Sequence, residues 1–134
     1  TELPTSFGQL QNLLHLEIPD NKLTALPTEI GRLSKLKYLN ASYNQLASLP
    51  EDVSRMTSLQ YFDLTKNALT SLPAGMSNLT SLQQLTLIAN RLTTLPPNLK
   101  NIQGMKYLML EVNPLSKEEV AQLKLDMPKC KVSF

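Results

Sequence analysis

Leu13 to Lys35 reads LLHLEIPDNKLTALPTEIGRLSK, with apolar residues at Leu13, Leu16 and Ile18, then Asn21, Leu23, the pair Leu26-Pro27, Ile30 and Leu33. The same order returns every 23 residues along the chain. Asparagines stand at Asn21, Asn44, Asn67, Asn90 and Asn113, and Leu-Pro pairs begin at Leu3, Leu26, Leu49, Leu72 and Leu95. Around them the apolar columns keep register: Leu13, Leu36, Leu59, Leu82, Met105; Leu16, Leu39, Phe62, Leu85, Leu108; Ile18, Ala41, Leu64, Leu87, Leu110; Leu23, Leu46, Leu69, Leu92, Leu115. Two more follow each Leu-Pro pair: Phe7, Ile30, Val53, Met76, Leu99 and Leu10, Leu33, Met56, Leu79, Ile102. Leucine therefore reaches 28 of 134 residues, and a fixed period of this length marks a repeat architecture whose units bury their apolar faces against one another.

Within each unit the last two apolar residues before the asparagine alternate with a variable one, so a short strand sends apolar side chains to one face and variable ones to the other. Stacked units place such strands about 4.8 Å apart and turn each apolar column into an interior ladder. The asparagine falls where the chain leaves the strand. Its amide carries donors and an acceptor for turn backbone groups that would otherwise be buried unpaired, which makes this column structural. Proline after leucine lacks an N–H and fixes φ, favouring a thin return path of extended or 3₁₀ backbone over a long helix.

The pattern LxxLxLxxNxLxxLPxxIGxLxx, nearly whole in Leu13 to Lys35, resembles the leucine-rich repeat family over essentially the entire chain. That resemblance implies an α/β, right-handed solenoid with a parallel sheet on its concave side and short 3₁₀ or irregular segments on its convex side. It divides the single domain 1–134 into a partial repeat 1–12, full repeats 13–35, 36–58, 59–81 and 82–104, a partial repeat 105–115 and a C-terminal cap 116–134. The chain opens in mid-repeat with no polar cap, so a longer protein is expected, with the first strand near Leu13 to Ile18 as a sheet edge that an upstream segment or a second copy would cover. At the other end Ser116 and Glu119 have capping-box spacing, and Val120, Leu123 and Met127 recur at helical intervals, predicting a helix from Lys117 to Asp126. Pro128 ends it, and Cys130, Val132 and Phe134 alternate with Lys131 and Ser133 as a last half-buried strand. This tail also looks like the closing segment of some bacterial leucine-rich-repeat proteins. Ala41 is short for its column and predicts local repacking around Met56 and Phe62.

Composition narrows the function classes. A net charge of +2 is scattered without a basic run or a glycine-rich aromatic motif, which points away from nucleic acid. The longest apolar run, Tyr107 to Leu110, is far below the roughly 18 to 20 residues of a bilayer span. The lone Cys130 forms no intrachain disulfide, so nothing demands an oxidising compartment. His15, the only histidine, lies in the first strand and Cys130 beyond the fifth, about 20 to 25 Å away, too far for a nucleophile and its base. Glu17 and Asp63 share an outward place about 10 Å apart with Asn40 between, but an open face gives neither a reason to hold a proton. Neither a metal-ligand cluster nor a phosphate-binding glycine loop stands out, so the sequence predicts no catalytic residues, no metal and no cofactor.

The variable strand places carry the functional signal. One column is His15, Tyr38, Tyr61, Gln84 and Tyr107, holding three of the four tyrosines; the next is Glu17, Asn40, Asp63, Thr86 and Met109. Beyond them lie Pro19, Ser42, Thr65, Ile88, Glu111 and then Asp20, Tyr43, Lys66, Ala89, Val112. Tyrosine concentrates at binding hot spots, and tyrosines on neighbouring strands also stack for their own stability; both readings stand. The candidate partner-binding set is His15, Glu17, Tyr38, Asn40, Tyr43, Tyr61, Asp63, Lys66, Gln84, Thr86, Ile88, Tyr107, Met109 and Glu111.

By resemblance, such repeats belong to intracellular scaffolds that bind Ras-type GTPases, to polarity scaffolds and to secreted or surface-displayed bacterial proteins. The expected function is a non-catalytic module binding a protein or peptide on its concave face. The alternative is the substrate-targeting part of a larger enzyme or signalling protein, and an architectural or carbohydrate-adhesive role is a third. The absence of cysteine-bonded caps, and a glycosylation acceptor at Asn40 that would block the face, argue against the eukaryotic secretory route. Cytoplasmic placement and a monomer are expected, with a bacterial surface protein and an edge-strand dimer as alternatives.

Overall fold

A computed structural model describes residues 2–134; Thr1, the first residue of the partial repeat 1–12, lies outside them. Six three-residue strands form one parallel sheet in chain order: β1 His15–Glu17, β2 Tyr38–Asn40, β3 Tyr61–Asp63, β4 Gln84–Thr86, β5 Tyr107–Met109 and β6 Lys131–Ser133. Register follows the 23-residue period, pairing His15 with Tyr38, Tyr38 with Tyr61, Tyr61 with Gln84 and Gln84 with Tyr107. Parallel neighbours need a crossover, and from β1 to β5 the return path runs through 3₁₀ turns at Thr28–Arg32, Glu51–Arg55, Ala74–Asn78 and Leu99–Asn101, with a like turn at Thr5–Gln9 before β1 and a helix between β5 and β6. The proline of each Leu-Pro pair sets up the turn. Pro4, Pro27, Pro50 and Pro73 hold φ between −57° and −68°, and their carbonyls accept the first turn bonds from Phe7, Ile30, Val53 and Met76 at 3.0 to 3.1 Å.

Small residues keep the turns close. A Cβ on Gly31 would meet the Asp52 carbonyl oxygen at 2.5 Å, and one on Gly8 the Glu29 Cβ at 2.8 Å. Lys100 stands at the corresponding place in the last turn, where the next layer is the cap instead of another turn, and its ammonium reaches Asp126 at 3.4 Å.

Between sheet and turns the apolar columns form one buried cluster, with Leu36, Leu39, Leu59, Leu64, Leu82, Leu85 and Leu108 fully buried. Ala41, Met56 and Phe62 are all buried within this cluster. The asparagines stitch layers together. Asn44, Asn67, Asn90 and Asn113 each accept the N–H of the leucine two places after the preceding asparagine (Leu23, Leu46, Leu69, Leu92) at 3.0 to 3.1 Å, and donate back to Ile18, Ala41, Leu64 and Leu87 carbonyls at 2.9 to 3.0 Å. Among the described residues Asn21 bonds only the carbonyls of its own Ile18 and Pro19.

The first layer departs from the pattern. Leu10, expected to point inward, is 49% exposed, because its turn has a neighbour on one side only, and Leu13 and Ile18 are half-buried for the same reason. At the other end α1 spans Lys117–Asp126 as the sequence predicts. Its capping box is half made. Ser116 Oγ accepts from Glu119 N at 3.1 Å, but the Glu119 carboxylate turns away to accept Leu95 N at 2.9 Å, fastening the cap to the fifth layer. Cys130 is half-buried and Val132 buried, whereas Phe134, expected to be half-buried, lies past the end of β6 and is exposed.

Candidate partner-binding face

The outward side chains of β1 to β5 make a continuous face whose first column begins as an aromatic stack. The His15 and Tyr38 rings lie parallel within 3° with centroids 4.1 Å apart, and Tyr61 follows tilted at 6.3 Å from Tyr38. Stacking on one side therefore coexists with exposure on the other: Tyr61 is 41% and Tyr107 44% exposed. Gln84 interrupts the column, its carboxamide turned along its own strand toward Thr86 Oγ1 at 3.4 Å. Thr86 is buried and its hydroxyl in turn faces Met109 Sδ at 3.8 Å.

The second column divides according to the residue two places further along the chain. Asn40 Oδ1 accepts from Ser42 N at 3.0 Å and Ser42 Oγ at 2.6 Å, and Asp63 Oδ1 accepts from Thr65 N at 2.9 Å, so both side chains close the turn after their strand. Glu17 has Pro19 in that position, with no N–H to offer, and its carboxylate pairs with His15 Nε2 at 2.8 Å instead. Glu17 and Asp63 share no contact. The pair of carboxylates is separated by the Asn40 turn, and His15 and Cys130 stand at opposite ends of the sheet, which leaves neither dyad assembled.

A feature that apolar periodicity does not reveal is the backbone of the fourth column. Asp20, Tyr43, Lys66, Ala89 and Val112 all have φ between 51° and 58°. Each precedes the asparagine and turns the chain into it, a conformation that glycine, asparagine and aspartate take easily and a β-branched residue resists. Val112 adopts it while 75% exposed. The column's side chains stand along the face: Lys66 Nζ lies 4.8 Å from the Tyr43 ring centroid, a cation–π contact, and Ile88 and Met109 are half-buried beside the exposed Val112. One carboxylate oxygen of Glu111 is buried without a hydrogen-bond partner among the described residues. The column just before the tyrosines, Leu14, Lys37, Gln60, Gln83 and Lys106, also borders the strands, with Leu14, Lys37 and Lys106 exposed; it is polar in four of its five places but holds no aromatic residue.

Away from this face, cavities of about 130 and 280 Å³ lie beside the cap; the first is lined by Ile102, Met105, Met127 and Cys130, and the second runs between Pro96, Pro97 and Leu123. Burial raises the Cys130 thiol above its ordinary pKa, so near neutrality it stays a thiol and is a poor nucleophile. Among the described residues no three histidine, cysteine or carboxylate side chains gather to hold a metal ion, and no helix is long and apolar enough to cross a membrane. The outward face carries rings, amides and separated charges.

Comparison with known proteins agrees with the repeat. A family model described as leucine-rich repeat region matches residues 1–126. No curated protein sequence matches the chain. Among solved structures it is similar to the Leptospira interrogans LRR protein LIC12759, at 30% identity and TM-score 0.80, covering 98% of this chain and 40% of that one. It is similar in fold to an internalin, inlF, of Listeria monocytogenes at 23% identity and TM-score 0.78, covering 98% and 37%. A TDR receptor matches at 31% identity and TM-score 0.84, covering 99% and 24%. The chain spans less than half the length of each of these structures.

Proposed function

Because the chain belongs to the leucine-rich repeat family, whose fold commonly mediates protein–protein interaction, we propose that it is a non-catalytic module that docks a partner protein or peptide on its concave sheet. The observation that carries this reading is the column His15, Tyr38, Tyr61, Tyr107. Tyr61 and Tyr107 expose much of their surface on a sheet face and take no part in the buried apolar cluster. Tyrosine contributes large contact area with few rotors and a polar tip, which suits a surface built to be covered. The partner is a protein or peptide and not nucleic acid, since the +2 net charge is scattered, and the chain acts as a monomer. In the second reading, substrate targeting for an attached catalytic domain, the same face does the docking, and the coding sequence flanking this chain decides between the two.

The test is capture from a lysate of the source organism or its host with the parent chain and with the variant Tyr38→Ala, Tyr61→Ala, Tyr107→Ala, both checked for folding. A partner held by the parent and lost by the variant supports the concave site. Equal capture by both places the binding determinants elsewhere.

A further inference from the structure

The break at Gln84 has the shape of a missing rung. The column His15, Tyr38, Tyr61, Gln84, Tyr107 is in register across five strands, so Tyr61 and Tyr107 flank Gln84 at two strand steps, about 8 to 10 Å. Rings of this column do not keep the strand spacing: His15 and Tyr38, one step apart, stand at 4.1 Å, whereas Tyr38 and Tyr61 stand at 6.3 Å, so Tyr61 lies farther from Tyr38 than their strands do. A planar group stacked on both sides needs about 7 Å between the flanking rings. Gln84 puts an amide and no ring between them, its carboxamide lying along its own strand toward Thr86.

Charge selects the group. Asp63 sits on the same strand and face as Tyr61 and pairs in register with Thr86, one diagonal from Gln84. Its Oδ1 closes the Thr65 turn, and its other oxygen makes no hydrogen bond among the described residues. The cation nearest in sequence, Lys66, is drawn aside over the Tyr43 ring, and Lys131 stands beyond Tyr107 in register. A guanidinium is planar, stacks on aromatic faces and bonds carboxylates through a fork of donors, and it is less strongly hydrated than an ammonium. We propose that the concave face takes an arginine side chain of its partner peptide over Gln84, stacked between Tyr61 and Tyr107 and paired with Asp63. This rests on the docking role proposed above and names the residue that the face reads.

Titration of the ¹⁵N-labelled chain with N-acetylarginine methylamide tests it directly. Amide shifts centred on Tyr61, Gln84 and Tyr107 are expected at millimolar concentration, with the neutral citrulline analogue and the lysine analogue each about fivefold weaker. Two variants report on the geometry without disturbing the fold. Gln84→Tyr supplies the rung from within the chain and abolishes the shifts. Asp63→Asn keeps the turn, as Asn40 does one layer earlier, and weakens arginine about fivefold while leaving citrulline unchanged. No shifts at these residues, or equal response to arginine and citrulline, overturns the assignment. A random heptapeptide selection against the parent and the triple tyrosine variant separates the two proposals. Selected peptides that depend on the tyrosines but carry no arginine keep the docking face and remove the arginine; peptides indifferent to the tyrosines remove both.

Discussion

Strand β3 shows both sides of the sheet in three residues. Phe62 points inward and is 1% exposed, while Tyr61 and Asp63 on either side of it point outward and keep contact with solvent. Down the stack the inward place runs Leu16, Leu39, Phe62, Leu85, Leu108, Val132, varying only in volume; the outward place runs His15, Tyr38, Tyr61, Gln84, Tyr107, Lys131, changing ring, amide and charge. One side therefore stores the stability and the other the individuality of the molecule, although both leave the same backbone.

The sharpest way to break this comparison is to empty an inward place. Leu85→Ala removes a fully buried side chain whose neighbours are held in register on both flanks, so collapse around the cavity is limited and the expected loss is about 2 to 5 kcal/mol in urea unfolding. The asparagine column comes next. Asn90→Ala strips the acceptor from Leu69 N in the interior, while Leu64 O and Leu87 O keep the amides of Asn67 and Asn113, an expected loss of about 2 kcal/mol. The same change at Asn21, exposed and bonded only to its own layer, should cost under about 1 kcal/mol. Equal costs at the two positions would mean that the bonds between layers contribute little.

This asymmetry also explains what could be read from the chain alone. Leucines, asparagines and prolines obey rules set by burial and backbone pairing, which repeat in every layer, so their period exposed the places of the strands and turns, and the capping-box spacing exposed helix α1. Position Leu10 escaped because an interior column is interior only where a layer lies on both sides. The Glu119 carboxylate escaped because its partner, Leu95 N, is remote in sequence, while the capping-box spacing offered a local one. On the outward face, column membership was legible but engagement was not: Asn40 and Asp63 look alike as surface polar residues with Glu17, and only Pro19 in place of Ser42 or Thr65 decides which side chain is left to pair elsewhere. The positive φ of the column before the asparagine leaves no mark in hydropathy, since Tyr43, Lys66 and Val112 are not the residues that such turns favour.

Val112 sharpens the comparison in the opposite direction. It is held at φ 58° with most of its surface exposed, so little packing opposes a change to a residue that tolerates this backbone. Val112→Asn should raise stability by about 1 kcal/mol, measured as an increase in unfolding midpoint, because the penalty for a β-branched residue in the left-handed region is relieved. A loss instead would show that the valine side chain is anchored by the fold and not offered to a partner.

The smallest expected effect is the most informative. Tyr107 lies across from Gln84, so it lacks a ring on that neighbouring strand to stack with, and its outward ring is substantially exposed. Tyr107→Ala should therefore change stability by less than about 1 kcal/mol, whereas Tyr38→Ala, which breaks the parallel stack with His15 and the contact with Tyr61, should cost about 1 kcal/mol more than that. If the tyrosines existed for the sheet, the two costs would be alike and partner capture would fall only as far as folding did. A chain that loses its partner with Tyr107→Ala while its unfolding curve stays in place uses that ring for something outside itself.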